Sequence, residues 1–124
     1  MARLLLMKIY DVDIDDQFEE IEVTELEDYY KHLECDCFDI AHRKIGDKYY
    51  DIFCDDAGLF RDGFIFSAIF PTGEGMLVGN LIFANHDDQG NTTSLSDDDI
   101  RNIKRNAHLA TGDGNFLFRV VCEY

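Results

Sequence analysis

The sequence predicts one α+β domain, residues 1–124, built on a mixed or antiparallel sheet of five to six strands with two helices. Three observations predict it. Short apolar runs of strand type recur along the chain, two segments switch to helical spacing behind capping residues, and 46% hydrophobic residues with ten Phe and six Tyr supply a single core. A length of 124 residues falls in the range of one domain.

The elements follow in order. Residues 4–10 are nearly all apolar and read as a strand buried on both faces. Met7 would serve equally well as a start, which would leave residues 1–6 as a dispensable N-terminal extension. Glu20, Ile21, Glu22 and Val23 alternate with period two, the pattern of a half-buried strand with its acids in solvent. Thr24 stands three residues before Glu27, a capping-box spacing, and Leu26, Tyr29, Tyr30 and Leu33 form an apolar stripe, so a helix is expected over residues 25–33.

Residues 35–44 alternate again, a turn at Ile45, Gly46 and Asp47 follows, and residues 49–54 return as the second arm of a β-hairpin. The aromatic-rich residues 60–70 read either as an irregular loop packed on the core or as a further strand. Residues 76–84 form a central strand with a bend or bulge at Gly79, and residues 86–93 form a polar loop. Ser96 caps a helix whose first turn carries Asp97, Asp98 and Asp99, while Arg101, Lys104 and Arg105 follow toward its other end, matching the helix dipole. Ile100, Ile103 and Ala107 form its buried stripe, and a turn at Gly112, Asp113 and Gly114 leads into a last strand over residues 116–122.

Charge narrows the function classes. The chain has 11 basic and 26 acidic side chains, a net charge of −15, and residues 11–28 contain ten acids with no Lys or Arg. Phosphate recognition needs clustered cations, so direct binding to nucleic acid or to an anionic membrane is excluded. No apolar run approaches the roughly 20 residues of a membrane span, and no secretory leader is legible, so a cytoplasmic protein with reduced thiols is expected.

The turn at Cys54, Asp55, Asp56, Ala57 and Gly58, the run from Val78 and Gly79 through Asn80, Leu81, Ile82, Phe83 and Ala84, then Gly90, and the helix start Ser94, Leu95, Ser96, Asp97, Asp98, Asp99, Ile100 resemble a family of small phage and mobile-element proteins known only as a domain of unknown function. The resemblance covers about residues 34–104 and rests on turn and cap chemistry. It implies a phage or prophage origin, in a bacterial host cell. Small acidic phage proteins in turn resemble inhibitors of host defence, including anti-CRISPR proteins that keep an effector nuclease from its target DNA.

The acidic block has two readings. Asp11, Asp13, Asp15, Asp16, Glu19, Glu20 and Glu22 form either a face for a basic partner or a merely solvated surface. Acids at every second strand residue would stand roughly 6.6 Å apart, against roughly 3.4 Å per phosphate along one DNA strand, a crude mimic. Asp11, Asp13 and Asp15 have a calcium-like spacing but lack the Gly and distal Glu of an EF-hand loop.

His32, Cys35, Cys37 and His42, with Cys54 on the following strand, are the metal candidates, and zinc is the ion such ligands would take. On a strand Cys35 and Cys37 share a face while His42 points away, so these residues make one site only if the strand breaks. His86, His108 and Cys122 are further partners in space, and the bland alternative is buried thiols with scattered surface histidines. No activated nucleophile or phosphate loop is legible, so a non-enzyme is expected.

The expected function is therefore a phage-encoded acidic inhibitor of a basic, nucleic-acid-binding host protein such as a Cas9-type effector with its guide RNA. The alternatives are a zinc-stabilised regulatory or adaptor protein, and a phage protein that sequesters a small molecule if Arg101, Lys104 and Arg105 converge on a pocket.

Overall fold

The computed structural model describes residues 2–10, 12–112 and 115–124. Its strands are β1 (Ala2–Met7), β2 (Phe18–Val23), β3 (Phe38–Ile45), β4 (Lys48–Asp55), β5 (Phe66–Ile69), β6 (Gly75–Val78), β7 (Leu81–His86), β8 (Thr92–Thr93), β9 (Ala107–Gly112) and β10 (Asn115–Val121), and its helices are α1 (Leu26–Leu33) and α2 (Asp97–Arg105). The fold is α+β, as expected, with two sheets. One has six strands in the order β2-β1-β7-β4-β3 with β8 against β7, and the other has four in the order β6-β5-β10-β9. Among the described residues, no helix is long and apolar enough to cross a membrane.

The six-stranded sheet is buried on both faces at its centre, which explains the unbroken apolar run in β1. Leu4 and Leu6 face α1 with Ile82, Ala84, Phe53, Tyr29 and Leu33. Leu5 and Met7 face the second sheet and α2, packing with Ile52, Phe83, Ala68, Val120, Ile100 and Ile103. Residues 2–6, part of the expected N-terminal extension, are built into the sheet. From Ala2 onward they pair with β2, and Leu5 and Leu6 pair with Phe83 and Ile82 of β7.

Other expectations are corrected in detail. The cap of α1 sits at Glu25, one residue later than the Thr24 spacing suggests, because the Asp28 carboxylate accepts from the N–H groups of both Thr24 and Glu25, at 2.9 and 3.0 Å. The expected strand over residues 76–84 is two strands in different sheets, β6 and β7. Gly79 has φ +77°, and its N–H bonds to the Ile65 carbonyl, while the buried Asn80 amide oxygen accepts from Ile9 N–H at 3.0 Å. These anchors turn the chain from one layer to the other, a step that glycine allows. Ala107 opens β9 rather than ending a helix, and β9 has no counterpart among the expected elements. Asp113 and Gly114 of the expected turn lie outside the described residues.

The hairpin of β3 and β4 and the Ser96 cap follow the sequence closely. Gly46 takes φ +61° in a two-residue turn that pairs Ile45 with Lys48. Ser96 Oγ accepts from Asp99 N–H at 3.1 Å, and Asp99 Oδ2 accepts from Ser96 N–H at 2.9 Å, a reciprocal cap. Gln17 is fully buried and joins the sheets, donating to the Phe118 carbonyl and accepting from Phe118 N–H at 2.7 Å.

Candidate functional site

The acidic block lies at a margin of the larger sheet. Asp13, Asp15 and Asp16 are exposed in and beside a single 3-10 turn, and Glu19, Glu20 and Glu22 are exposed on β2, the outermost strand of its sheet. Asp11 lies outside the described residues. Strand alternation separates the glutamates. Glu20 and Glu22 share one face, whereas Glu19 falls on the face of Ile21 and Val23.

Part of the charge is answered from the neighbouring strand. Arg3 of β1 pairs with Glu20 at 2.5 Å and with Asp97 at 2.7 Å, and Lys8 pairs with Glu19 at 3.5 Å. The run of acids without local cations therefore overstates the bare charge, because antiparallel pairing brings cations from residues 3 and 8 beside it. Glu22, Asp13, Asp15 and Asp16 are the more open acids of the set.

Beside this margin is an open groove of about 770 Å³, lined by Ile9, Tyr10, Val12, Arg61, Asp62, Gly63, Ile65 and Leu117. A hollow of about 280 Å³, which also uses Tyr10 and Arg61, continues it toward Glu34, Asp55, Gly79 and Asn80. Arg61 is held in place by an ion pair to the Asp55 carboxylate, which also caps Ala57 N–H at 3.0 Å. The Tyr10 hydroxyl accepts from Ile65 N–H at 3.2 Å. The short loop before Arg61 carries Leu59 and Phe60, 60% and 89% exposed. Val12 and Arg61 share the groove lining, and they adjoin in sequence the acids that begin at Asp13 and the apolar tip that ends at Phe60. Sequence pattern places Phe60 in a stretch packed on the core or in a further strand; it ends instead the 3-10 turn Gly58–Phe60 and is exposed.

The expected metal residues do not assemble as one set. Cys35 and Cys54 are buried, and burial pushes both thiols up to about 11. Burial likewise raises Cys122, to about 12, while Cys37 is exposed. His32 contributes its backbone carbonyl to Asn80 at 3.3 Å. The physical reason is register: Cys35 and Cys37 lie before β3, whereas His42 lies well along it, toward the hairpin end.

His42 instead meets two residues from other strands. It stands directly opposite Asp51 of β4, and its Nδ1 lies 3.1 Å from Asp51 Oδ1. His86 Nδ1, from the end of β7, lies 2.9 Å from Asp51 Oδ2. Tyr49 stacks on His42 with ring centroids 5.1 Å apart. Among the described residues this is the one group of three metal-ligating side chains, with all donor atoms within 4.8 Å of one another. His86 is a partner in space that the sequence suggests; Asp51 is not among its candidates. The signal was there: counting back from the two-residue turn, where Ile45 faces Lys48, places Asp51 against His42.

On the far side of the sheet, the buried Asp99 accepts from Lys48 Nζ at 2.7 Å, Asn85 Nδ2 at 2.8 Å and the Tyr50 hydroxyl at 3.0 Å. Burial alone would raise this carboxyl's pKa; the hydrogen bonds from Lys48, Ser96 and Asn85 outweigh it and hold the group well below the usual carboxylate range. Arg101 pairs with Asp98 of its own helix rather than turning to a pocket.

Residues 7–108 match the family model described as Domain of unknown function (DUF3846). No curated protein and no solved structure matches the chain.

Proposed function

This chain belongs to the DUF3846 family, and we propose that it is a non-catalytic binding protein that docks a basic partner protein through the acidic margin around β2 and the adjoining groove. The observation that carries the proposal is a groove lined by Arg61 and Val12, whose chain neighbours are the 89% exposed Phe60 with the exposed Leu59 in the one case and the exposed Asp13, Asp15 and Asp16 in the other. Protein interfaces combine a buried aromatic anchor with a polar rim, and a single-sign rim steers an oppositely charged partner into contact.

In its finer form, the partner is a nucleic-acid-binding defence protein of a bacterial host, and the chain is a phage or prophage inhibitor that keeps such a protein, a Cas9-type effector included, from its DNA. A net charge of −15 supports this form, since a DNA-binding channel is basic and an acidic surface competes with phosphate for it. Arg3 and Lys8 temper mimicry along β2 itself, so the weight of recognition falls on the acids of the 3-10 turn and on Glu22.

The test is capture of partners on immobilised protein from a lysate of a CRISPR-bearing bacterium, eluted with rising salt, beside Asp13→Lys/Asp15→Lys/Asp16→Lys and Phe60→Ala variants. A basic DNA-binding protein that is released as salt rises and is lost by both variants supports the proposal. Capture unaffected by either variant overturns it.

A further inference from the structure

We propose that His42, Asp51 and His86 bind a divalent first-row transition metal ion, zinc in the first instance, in a site with open coordination positions. The inference stands apart from the partner-binding reading, since it uses other residues toward the β3–β4 hairpin end of the sheet.

Three neighbouring strands deliver the donors. His42 of β3 and Asp51 of β4 are an opposed pair, Asp51 is opposed in turn to Ala84 of β7, and His86 is two residues farther along β7 on the same face. The backbone positions are thus set by hydrogen-bonded pairing rather than by loops, which limits the rearrangement that metal uptake would need. Tyr49 stacks nearly parallel on His42, at 6°, and fixes the plane of that ring.

The donor atoms already converge. Both imidazoles turn the same nitrogen, Nδ1, to the one carboxylate, at 3.1 and 2.9 Å. Zinc bonds of about 2.0–2.2 Å at tetrahedral angles set ligand atoms roughly 3.3 Å apart. Closing the triad on an ion therefore asks for shifts of a few tenths of an ångström between each histidine and the Asp51 oxygen it faces, and for an approach of up to roughly 1.5 Å between donor atoms that stand within 4.8 Å of one another.

Chemistry selects the ion. Two imidazoles and one carboxylate suit zinc, nickel, copper or iron, whereas magnesium and calcium prefer oxygen donors alone. The buried, protonated thiols of Cys35, Cys54 and Cys122 offer no competing soft site. A hollow of about 540 Å³ lined by His42, Lys48, Tyr49, Asn85, His86 and Thr93 leaves room for water or a small anion on the ion. Lys48 shares that hollow, but its charge is answered by Asp99 at 2.7 Å, and the chain's net charge of −15 favours a cation.

The experiment is zinc titration of the untagged protein in a Cys37→Ser background, against a chromophoric competitor chelator, followed by anomalous scattering at the zinc edge from a zinc-grown crystal. The expected result is one zinc per chain, weakened about 100-fold or more in Asp51→Ala and in His42→Ala/His86→Ala, with the anomalous peak between the three side chains. Far-UV circular dichroism of each variant separates loss of ligands from loss of fold, and His86→Gln provides a milder third variant that is expected to weaken zinc binding with native dichroism. No uptake at micromolar zinc, uptake indifferent to all three variants, or a peak elsewhere overturns the proposal.

Discussion

Lys48, at the tip of the β3–β4 hairpin, donates to the carboxylate of Asp99 in the first turn of α2, with 2.7 Å between Nζ and Oδ1. Asp99 is 6% exposed and also receives Ser96 N–H, Asn85 and the Tyr50 hydroxyl, so one carboxylate closes the helix cap and ties it to two strands of the sheet.

Asp99→Asn should therefore lower stability at pH 7 by about 1.5–3 kcal/mol, the range for hydrogen bonds to a charged group. The sign of the pH dependence follows from the depressed folded pKa. The stabilisation is fully present above the ordinary carboxylate pKa of about 4 and is lost as pH falls below it toward the folded value. Urea unfolding of both proteins from pH 7 to pH 3 checks this: the gap between them should narrow at the acid end, and a gap independent of pH would count against the assignment.

Leu5 is fully buried in β1, between β2 and β7. Leu5→Ala should cost about 2–5 kcal/mol, and deletion of residues 1–6 should abolish cooperative thermal unfolding. A truncated chain that melts like the full one would refute the central position of β1.

Gly79 bends the chain between the sheets at φ +77°, and a Cβ added there would have the Tyr10 ring as its nearest neighbour, at 3.7 Å. There is space for a methyl group but strain in the backbone, so Gly79→Ala should destabilise by about 1–2 kcal/mol without altering the fold. Calorimetry gives the loss, and unchanged far-UV dichroism gives the retained fold.

Cys37 is the exposed thiol of the four, while Cys35, Cys54 and Cys122 are buried and held protonated by desolvation. Native protein should react with one equivalent of an aromatic disulfide reagent quickly and with four only after denaturation. In Cys37→Ser the fast phase should vanish; its persistence would mean that a buried thiol opens to solvent.

Local chemistry makes much of this legible. The doubly buried β1, the hairpin turn at Gly46, the Ser96 cap and the exposed acids from Asp13 to Glu22 all follow from patterns that operate within a few residues. The two-sheet layering does not, because residues 76–84 look like one strand until Gly79 and Asn80 find partners at Ile65 and Ile9.

Residue type and short-range spacing suffice for the α+β class, the main strands and both helices, the negative charge and the family motifs. Which charges stay unanswered and which histidines meet is settled only by the folded chain. Arg3 reaches Glu20 across 17 residues and His86 reaches Asp51 across 35, contacts that exist only once the strands have chosen their neighbours. No local periodicity encodes that choice, because strand order is settled by burying both faces of β1 and β7 at once.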